Sequence, residues 1–263
     1  MSNQTLFDIY GDRGLPFGLI TVNVVRVVIS TIGVLLNAAF VFVTIKIKTL
    51  NSPCHLLLAF DCFVSAWYQL SSWFSLTVLF NNGNQFVNIR SCCLKILPPF
   101  QIGYTSSFNA IFLISVDRLI SVLFPICQRQ ISKKFYLIPM LFSSLLSPAI
   151  IIYAQFQIVY SVQETRQIIC VASECSWSWA ADLTYFLFTS FYVSSYVWTQ
   201  RILKTLFVIM LFNFVGLFMN SIARMVVPRF NLDITDKTLI IYSLSCLTSF
   251  VMSSNAPILF FFN

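Results

Sequence analysis

Charge is scarce in this chain. Asp, Glu, Lys and Arg make up 10% of its 263 residues, where a water-soluble domain carries about a quarter. Hydrophobic residues reach 58% and mean hydropathy is +0.83. A soluble core cannot hide that much apolar surface, but a bilayer can. Glycine is low as well, 7 residues beside 28 Phe, which excludes a collagen-like or low-complexity chain. There is one histidine, His55, and no Cys-x-x-Cys with a matching second pair, which argues against a zinc site. The net charge of +7 comes from scattered single Lys and Arg, not from a patch interleaved with aromatics. Such residues belong to loops and headgroups, and nucleic acid is not an expected partner. No nucleophile–base constellation points to an enzyme, and no cofactor is implied.

What is present is a series of long apolar stretches. A hydrocarbon core of about 30 Å needs about 20 helical residues. The stretches predict spans at Leu19–Ile45, His55–Phe80, Leu94–Phe124, Phe135–Tyr153, Trp179–Trp198, Leu203–Val227 and Thr238–Phe262. Asn51-Ser52-Pro53, Asn81-Asn82-Gly83-Asn84, Gln128–Lys134, Gln163–Arg166 and Pro228–Lys237 break them. The expected fold is an all-α seven-transmembrane helix bundle, with six spans as the alternative because Thr189, Ser190, Ser194 and Ser195 dilute the fifth. Residues 1–18 form a polar N-terminal segment and 19–263 the membrane domain. Met1–Pro16 has no basic flank and apolar core of a cleavable signal, so the first span is expected to direct insertion. No internal repeat, second domain or long linker is visible.

With the N-terminus outside, the 16 Lys and Arg divide evenly between the two faces, and the positive-inside rule does not choose an orientation. Asn3-Gln4-Thr5, a glycosylation sequon, favours an outside N-terminus. So do the cysteines. Cys62 and Cys246 fall within spans and read as buried small apolar residues, and Cys54 and Cys127 would face the reducing cytoplasm. Cys92/Cys93 and Cys170/Cys175 then share the oxidising face, where a bridge would close the outer mouth of the bundle.

Two polar features stand out. Asp61 lies mid-span, where a carboxylate costs about 2.5–3.5 kcal/mol on insertion scales and is a functional hypothesis by default. Asn37, Ser107, Ser253 and Asn255 are partners at similar depth. Together they read either as a pocket for sodium or a proton, or as a hydrogen-bond cluster with no ion. Asp117-Arg118 is the second feature. Arg118 lies 25 residues after Cys93, roughly 37 Å of helix, so Cys93 and Arg118 mark opposite faces. An Arg there either snorkels to headgroups or is held by Asp117 as a switch.

These residues carry a resemblance. Asn37, Leu58-Ala59-Phe60-Asp61, the Cys93–Arg118 interval, Asp117-Arg118-Leu119 and Asn255-Ala256-Pro257-Ile258-Leu259-Phe260 look like rhodopsin-type receptors. The stretch Ile114-Ser115-Val116-Asp117-Arg118-Leu119-Ile120-Ser121-Val122-Leu123-Phe124-Pro125, with Asn51-Ser52-Pro53-Cys54-His55, is similar to nematode serpentine chemoreceptors, especially the Srsx group. The resemblance covers essentially the whole chain. It implies a chemosensory G-protein-coupled receptor at the plasma membrane, with the ciliary membrane of sensory neurons as one setting. A small-molecule or peptide ligand enters from outside, Asp117 holds Arg118 at rest, and a heterotrimeric G protein is the inner partner. Asn37, Asp61, Ser107, Ser253, Asn255 and Pro257 form the implied activation core. The outer bridge is expected to join Cys93 to Cys170, with Cys175 as its competitor. The departures are Asp-Arg-Leu for Asp-Arg-Tyr, Phe260 for the tyrosine of the seventh span, no Trp in the fourth span, no Pro in the fifth, and neither Trp nor Pro at the hinge of the sixth. A ligand-gated channel with its N-terminus inside, and a small transporter, are the rival classes. The sequon and cysteines oppose the first, and the lack of repeats or paired broken helices opposes the second. Only Thr199-Gln200-Arg201-Ile202 separates the fifth and sixth spans, and the last residue stands six past Pro257. The expectation is weak coupling, or a chain lacking a segment present in its relatives.

Overall fold

A computed structural model describes residues 6–47, 52–80, 86–124, 132–161, 167–170, 186, 190, 215–216, 219–220 and 222–262. The chain enters through a short helix, α1 (Leu6–Tyr10). Phe7 meets Phe86 edge-on at 5.3 Å between ring centroids, and the Tyr10 and Thr235 hydroxyls share a hydrogen bond of 2.9 Å. Leu6 joins Leu15, Leu19, Leu79, Phe86, Ile169 and Tyr242 in one apolar cluster. The expected polar tail is therefore anchored over one end of the bundle from Leu6 onward.

The first span is α2 (Phe17–Lys46), 30 residues and so about 45 Å long. Pro16 presets its entry, and Lys46 closes it in the last turn, where a cation suits the helix dipole. The second span is two helices, α3 (Pro53–Gln69) and α4 (Ser71–Phe80). Ser52 caps α3 by accepting the His55 amide hydrogen at 3.4 Å, and Pro53 sits where its missing N–H costs nothing. The span breaks at Leu70, next to Ser71 and Ser72, and the Ser72 hydroxyl pairs with Ser30 of α2 at 3.0 Å.

The third span begins irregularly. Strand β1 (Val87–Asn88) runs into a single turn, α5 (Ile89–Ser91), and then a π-helical turn, Cys92–Ile96. The Leu97 amide donates to the Cys92 carbonyl at 2.9 Å, a five-residue closure. Pro98 and Pro99 supply no N–H to continue that pattern, and the regular helix α6 (Pro98–Leu123) starts from them. The fourth span, α7 (Lys133–Ser161), holds Pro139 and Pro148 internally and continues about two turns past Tyr153. Its extension carries Gln155 and Gln157, which hid it from a hydropathy reading, and Gln155 is buried. Strand β2 (Gln167–Ile168) pairs antiparallel with β1, Val87 opposite Ile168 and Asn88 opposite Gln167.

Of the fifth span only residues 186 and 190 are described, and of the sixth residues 215–216, 219–220 and 222–226, all helical. The sixth ends in a 3-10 turn, Val227–Arg229, at Pro228, where the sequence places its break. The short connection at 199–202 lies outside the described residues. The last helix is α8 (Ile234–Phe262), with Pro257 inside it. By length and composition, Phe17–Lys46, Phe135–Gln157 and Ile234–Ile258 are each long and apolar enough to cross a membrane.

Helix α2 packs between α8 and α3, α3 packs on α6, and α6 on α7. A central core of Phe40, Leu57, Leu58, Phe108, Ile111, Met252 and Ala256 joins them. Two glycines allow close approach. A Cβ on Gly103 would stand 2.7 Å from the Val64 carbonyl oxygen of α3, and one on Gly33 would collide with Ser253 Oγ and the Gln69 side-chain amide. Close packing through small residues is how helices associate where lipid removes the hydrophobic drive.

Candidate functional site

Asp61 is 3% exposed on the inner face of α3. Its carboxylate accepts from the Ser107 hydroxyl of α6 at 2.5 Å and from the Asn255 side-chain amide of α8 at 3.4 Å. Ser107 and Ser65 share a further hydrogen bond of 3.0 Å. The result is a hydroxyl–carboxylate chain linking three helices, and such a chain satisfies a carboxylate that hydrocarbon would otherwise penalise. Asn37, fully buried in α2, donates its side-chain N–H to the Met252 carbonyl at 3.2 Å and leaves its amide oxygen without a partner.

Ser253 belongs to a different group from the one expected. It pairs with Gln69 at 3.0 Å and donates to the Ser249 carbonyl at 2.7 Å and the Ile29 carbonyl at 3.2 Å, over the open face of Gly33. Its hydroxyl is thus engaged away from Asp61. Pro257 lies one turn short of the α8 terminus, two residues past Asn255. Gln69 is the residue that sequence reasoning missed here. Its signal is a long amide amid aromatic and apolar neighbours, overlooked because a Gln carries no charge.

At the opposite end of α6, Asp117 is 2% exposed while the Arg118 side chain is 32% exposed. Arg118 Nε stands 4.0 Å from Asp117 Oδ2, the outer limit of an ion pair, and that Nε–H has no hydrogen-bond partner. Tyr136, in the first turn of α7, donates its hydroxyl hydrogen to Asp117 Oδ1 at 2.8 Å. Sequence alone does not single out Tyr136. It follows Lys133 and Lys134 and reads there as an interfacial aromatic.

The disulfide requires a correction. Cys170 is bridged to Cys92, not to Cys93, with Cα atoms 5.5 Å apart and 78 residues between them. Neighbouring side chains on a helical turn point about 100° apart, so only one of the vicinal pair can face β2. The five-residue turn at Cys92 aims the first of the two at it. Cys93 is itself disulfide-bonded, and Cys54, Cys62 and Cys246 are free. Cys170 has φ of +61°, a left-handed conformation that few non-glycine residues adopt, and its carbonyl accepts from Ser75 of α4 at 3.2 Å. Cys175, expected as the competitor, and Asn3, the expected glycosylation site, lie outside the described residues.

The disulfide and the Asp117–Arg118 pair thus occupy opposite ends of the third span, with the Asp61 group between them. A family model described as serpentine type 7TM GPCR chemoreceptor Srsx matches residues 28–263. No curated protein matches the chain.

Proposed function

The chain belongs to the Srsx family of serpentine seven-transmembrane chemoreceptors, and we propose that it senses an external small molecule or peptide and signals through a heterotrimeric G protein. As a member of that family it is a multi-pass membrane receptor. The proposed setting is the plasma membrane, including the ciliary membrane of sensory neurons, with the N-terminus outside and glycosylated at Asn3. That orientation puts the Cys92–Cys170 bridge on the oxidising side, where disulfides persist.

One observation carries the signalling part of this reading. Arg118 sits at the end of α6 remote from the disulfide, only loosely paired with Asp117, while Asp117 is held across to α7 by Tyr136. Such an arrangement has two states, Arg118 against Asp117 or Arg118 released to a partner, and a bound G protein would select the second. Asp61 and its neighbours serve as the activation core in this reading. The carboxylate and the Ser107 and Ser65 hydroxyls supply the oxygen donors that a hard cation such as sodium takes.

The test is nucleotide exchange on purified heterotrimeric G proteins by the receptor in lipid nanodiscs. Wild-type receptor should raise exchange above empty discs, and Arg118→Ala should remove the increment. Exchange that is no faster than in empty discs for every G-protein class would sink the reading.

A further inference from the structure

A second ionisable group lies inside the bundle, apart from the Asp61 core. Arg26, in the disulfide-end half of α2, is 5% exposed. Its Nη2 donates to the Tyr68 hydroxyl at 3.2 Å, and its Nε–H is buried with no hydrogen-bond partner. Among the described residues no carboxylate pairs with it. A guanidinium cannot shed its proton to escape burial, and a neutral phenol does not balance its charge. In lipid, a buried cation of this kind marks a functional position.

Its surroundings suit an anion. The Tyr68 ring packs on Tyr104 of α6 at 4.8 Å between centroids. From the sixth span, half-buried Arg224 directs Nη2 to Ser245 of α8 at 3.0 Å, so a second guanidinium meets the face of α8 that carries Ser245 and Ser249. Ser249 accepts from Gln69 on its carbonyl at 3.3 Å, which connects that face back to the residue next to Tyr68. Arg26 thus meets α3 at Tyr68, and Arg224 meets α8 at Ser245.

We propose that Arg26 anchors the carboxylate of a small, otherwise apolar ligand, which lies among Tyr68, Tyr104 and α8. This deepens the receptor reading and rests on it. The guanidinium offers the fork that a carboxylate fills with two parallel hydrogen bonds. The orphaned Nε–H supplies one of them and an Nη N–H the other, and the aromatic rings take up the ligand's apolar part. Burial of Arg26 in the bundle interior selects a diffusible acid over a lipid headgroup as the source.

Binding is measured without G protein, by thermal unfolding of the full-length receptor in phosphatidylcholine nanodiscs. The probes are the straight-chain carboxylates from butyrate to dodecanoate, each beside its methyl ester. At least one carboxylate should raise Tm in a saturable way while its ester does not, and Arg26→Gln should weaken that binding by about tenfold or more. Equal responses to acid and ester, no response to any acid, or undiminished binding by Arg26→Gln each overturn the proposal. Should Arg26→Gln fail to fold, Tyr68→Phe decides. It frees an N–H on the guanidinium, so carboxylate binding should hold or tighten, and its loss refutes the assignment. Arg26-dependent stabilisation seen only after phosphatidylserine is added overturns the diffusible source. Carboxylate binding through Arg26 with no nucleotide exchange by any G protein would spare this inference and defeat the receptor reading. Exchange driven by a neutral ligand and untouched by Arg26→Gln would do the reverse.

Discussion

Tyr136 and Asp117, from different spans, are joined by a hydrogen bond of 2.8 Å that is shorter than the 4.0 Å separating Asp117 from its sequence neighbour Arg118. The carboxylate is therefore held across to α7 by a closer contact than the one it makes with the adjacent cation.

Tyr136→Phe should accordingly lower stability by about 1.5–3 kcal/mol, the worth of one hydrogen bond to a buried charged acceptor after solvent exchange. Asp117→Asn should raise agonist-independent exchange, since it removes the charge that restrains Arg118. Thermal unfolding and basal nucleotide exchange check the two halves. An Asp117→Asn receptor as quiet as wild type would refute the restraint.

Asp61→Asn keeps the volume and can still hydrogen-bond, so folding should survive it. If a sodium ion sits against Asp61, replacing choline with sodium at constant ionic strength should change basal exchange by the wild type and leave Asp61→Asn unmoved. Identical salt responses would leave Asp61, Ser107 and Asn255 as a cluster without an ion.

Non-reducing peptide mapping should recover Cys170 linked to the 92/93 pair. Two single variants then separate the vicinal thiols. Cys93→Ser should retain the link to Cys170 and Cys92→Ser should lose it, with a stability cost of about 2–4 kcal/mol for opening so long a loop. The second bridge, from Cys93, is expected to reach Cys175. A Cys170 still bridged in Cys92→Ser would contradict the assignment.

Gly103→Ala should destabilise the receptor by about 1–3 kcal/mol, because the added methyl meets the Val64 carbonyl and a backbone group cannot turn aside. Gly33→Ala meets side chains instead, and its cost should appear together with loss of the Gln69–Ser253 pairing. Comparing each with its Ser253→Ala or Val64→Ala background separates the two causes. Additive losses at Gly33 and Ser253 would contradict the shared contact.

Among the described residues, hydropathy and breakers located the first four spans and the last because lipid imposes length and apolarity on any crossing helix. The ends near Ser52-Pro53 and Pro228 were legible for that reason, as were the meetings of Asp61 with Ser107 and Asn255, which depth alone anticipates. Three features were not legible. The break at Leu70 goes unannounced because Gln69, Ser71 and Ser72 carry no charge and include no Pro or Gly, so they stand inside an otherwise apolar run without a breaker signal. The choice between Cys92 and Cys93 depends on rotation about a helix axis, set by a π turn that no residue pattern announces. The partners of Ser253 and Asp117 depended on which faces turn toward each other, and periodicity is weak in helices that are apolar on nearly every side.

The interruption at Leu70 has a mechanical consequence. Helix α4, on one side of it, is fastened to the Cys170 carbonyl through Ser75, and Cys170 is fastened in turn to the start of the third span. Helix α3, on the other side, carries Tyr68, Gln69 and Asp61. The second span is thus a jointed lever with its upper arm welded to the disulfide collar. A displacement of the collar would be passed to α4, whose junction with α3 lies one residue from Gln69, among the buried polar residues of the bundle.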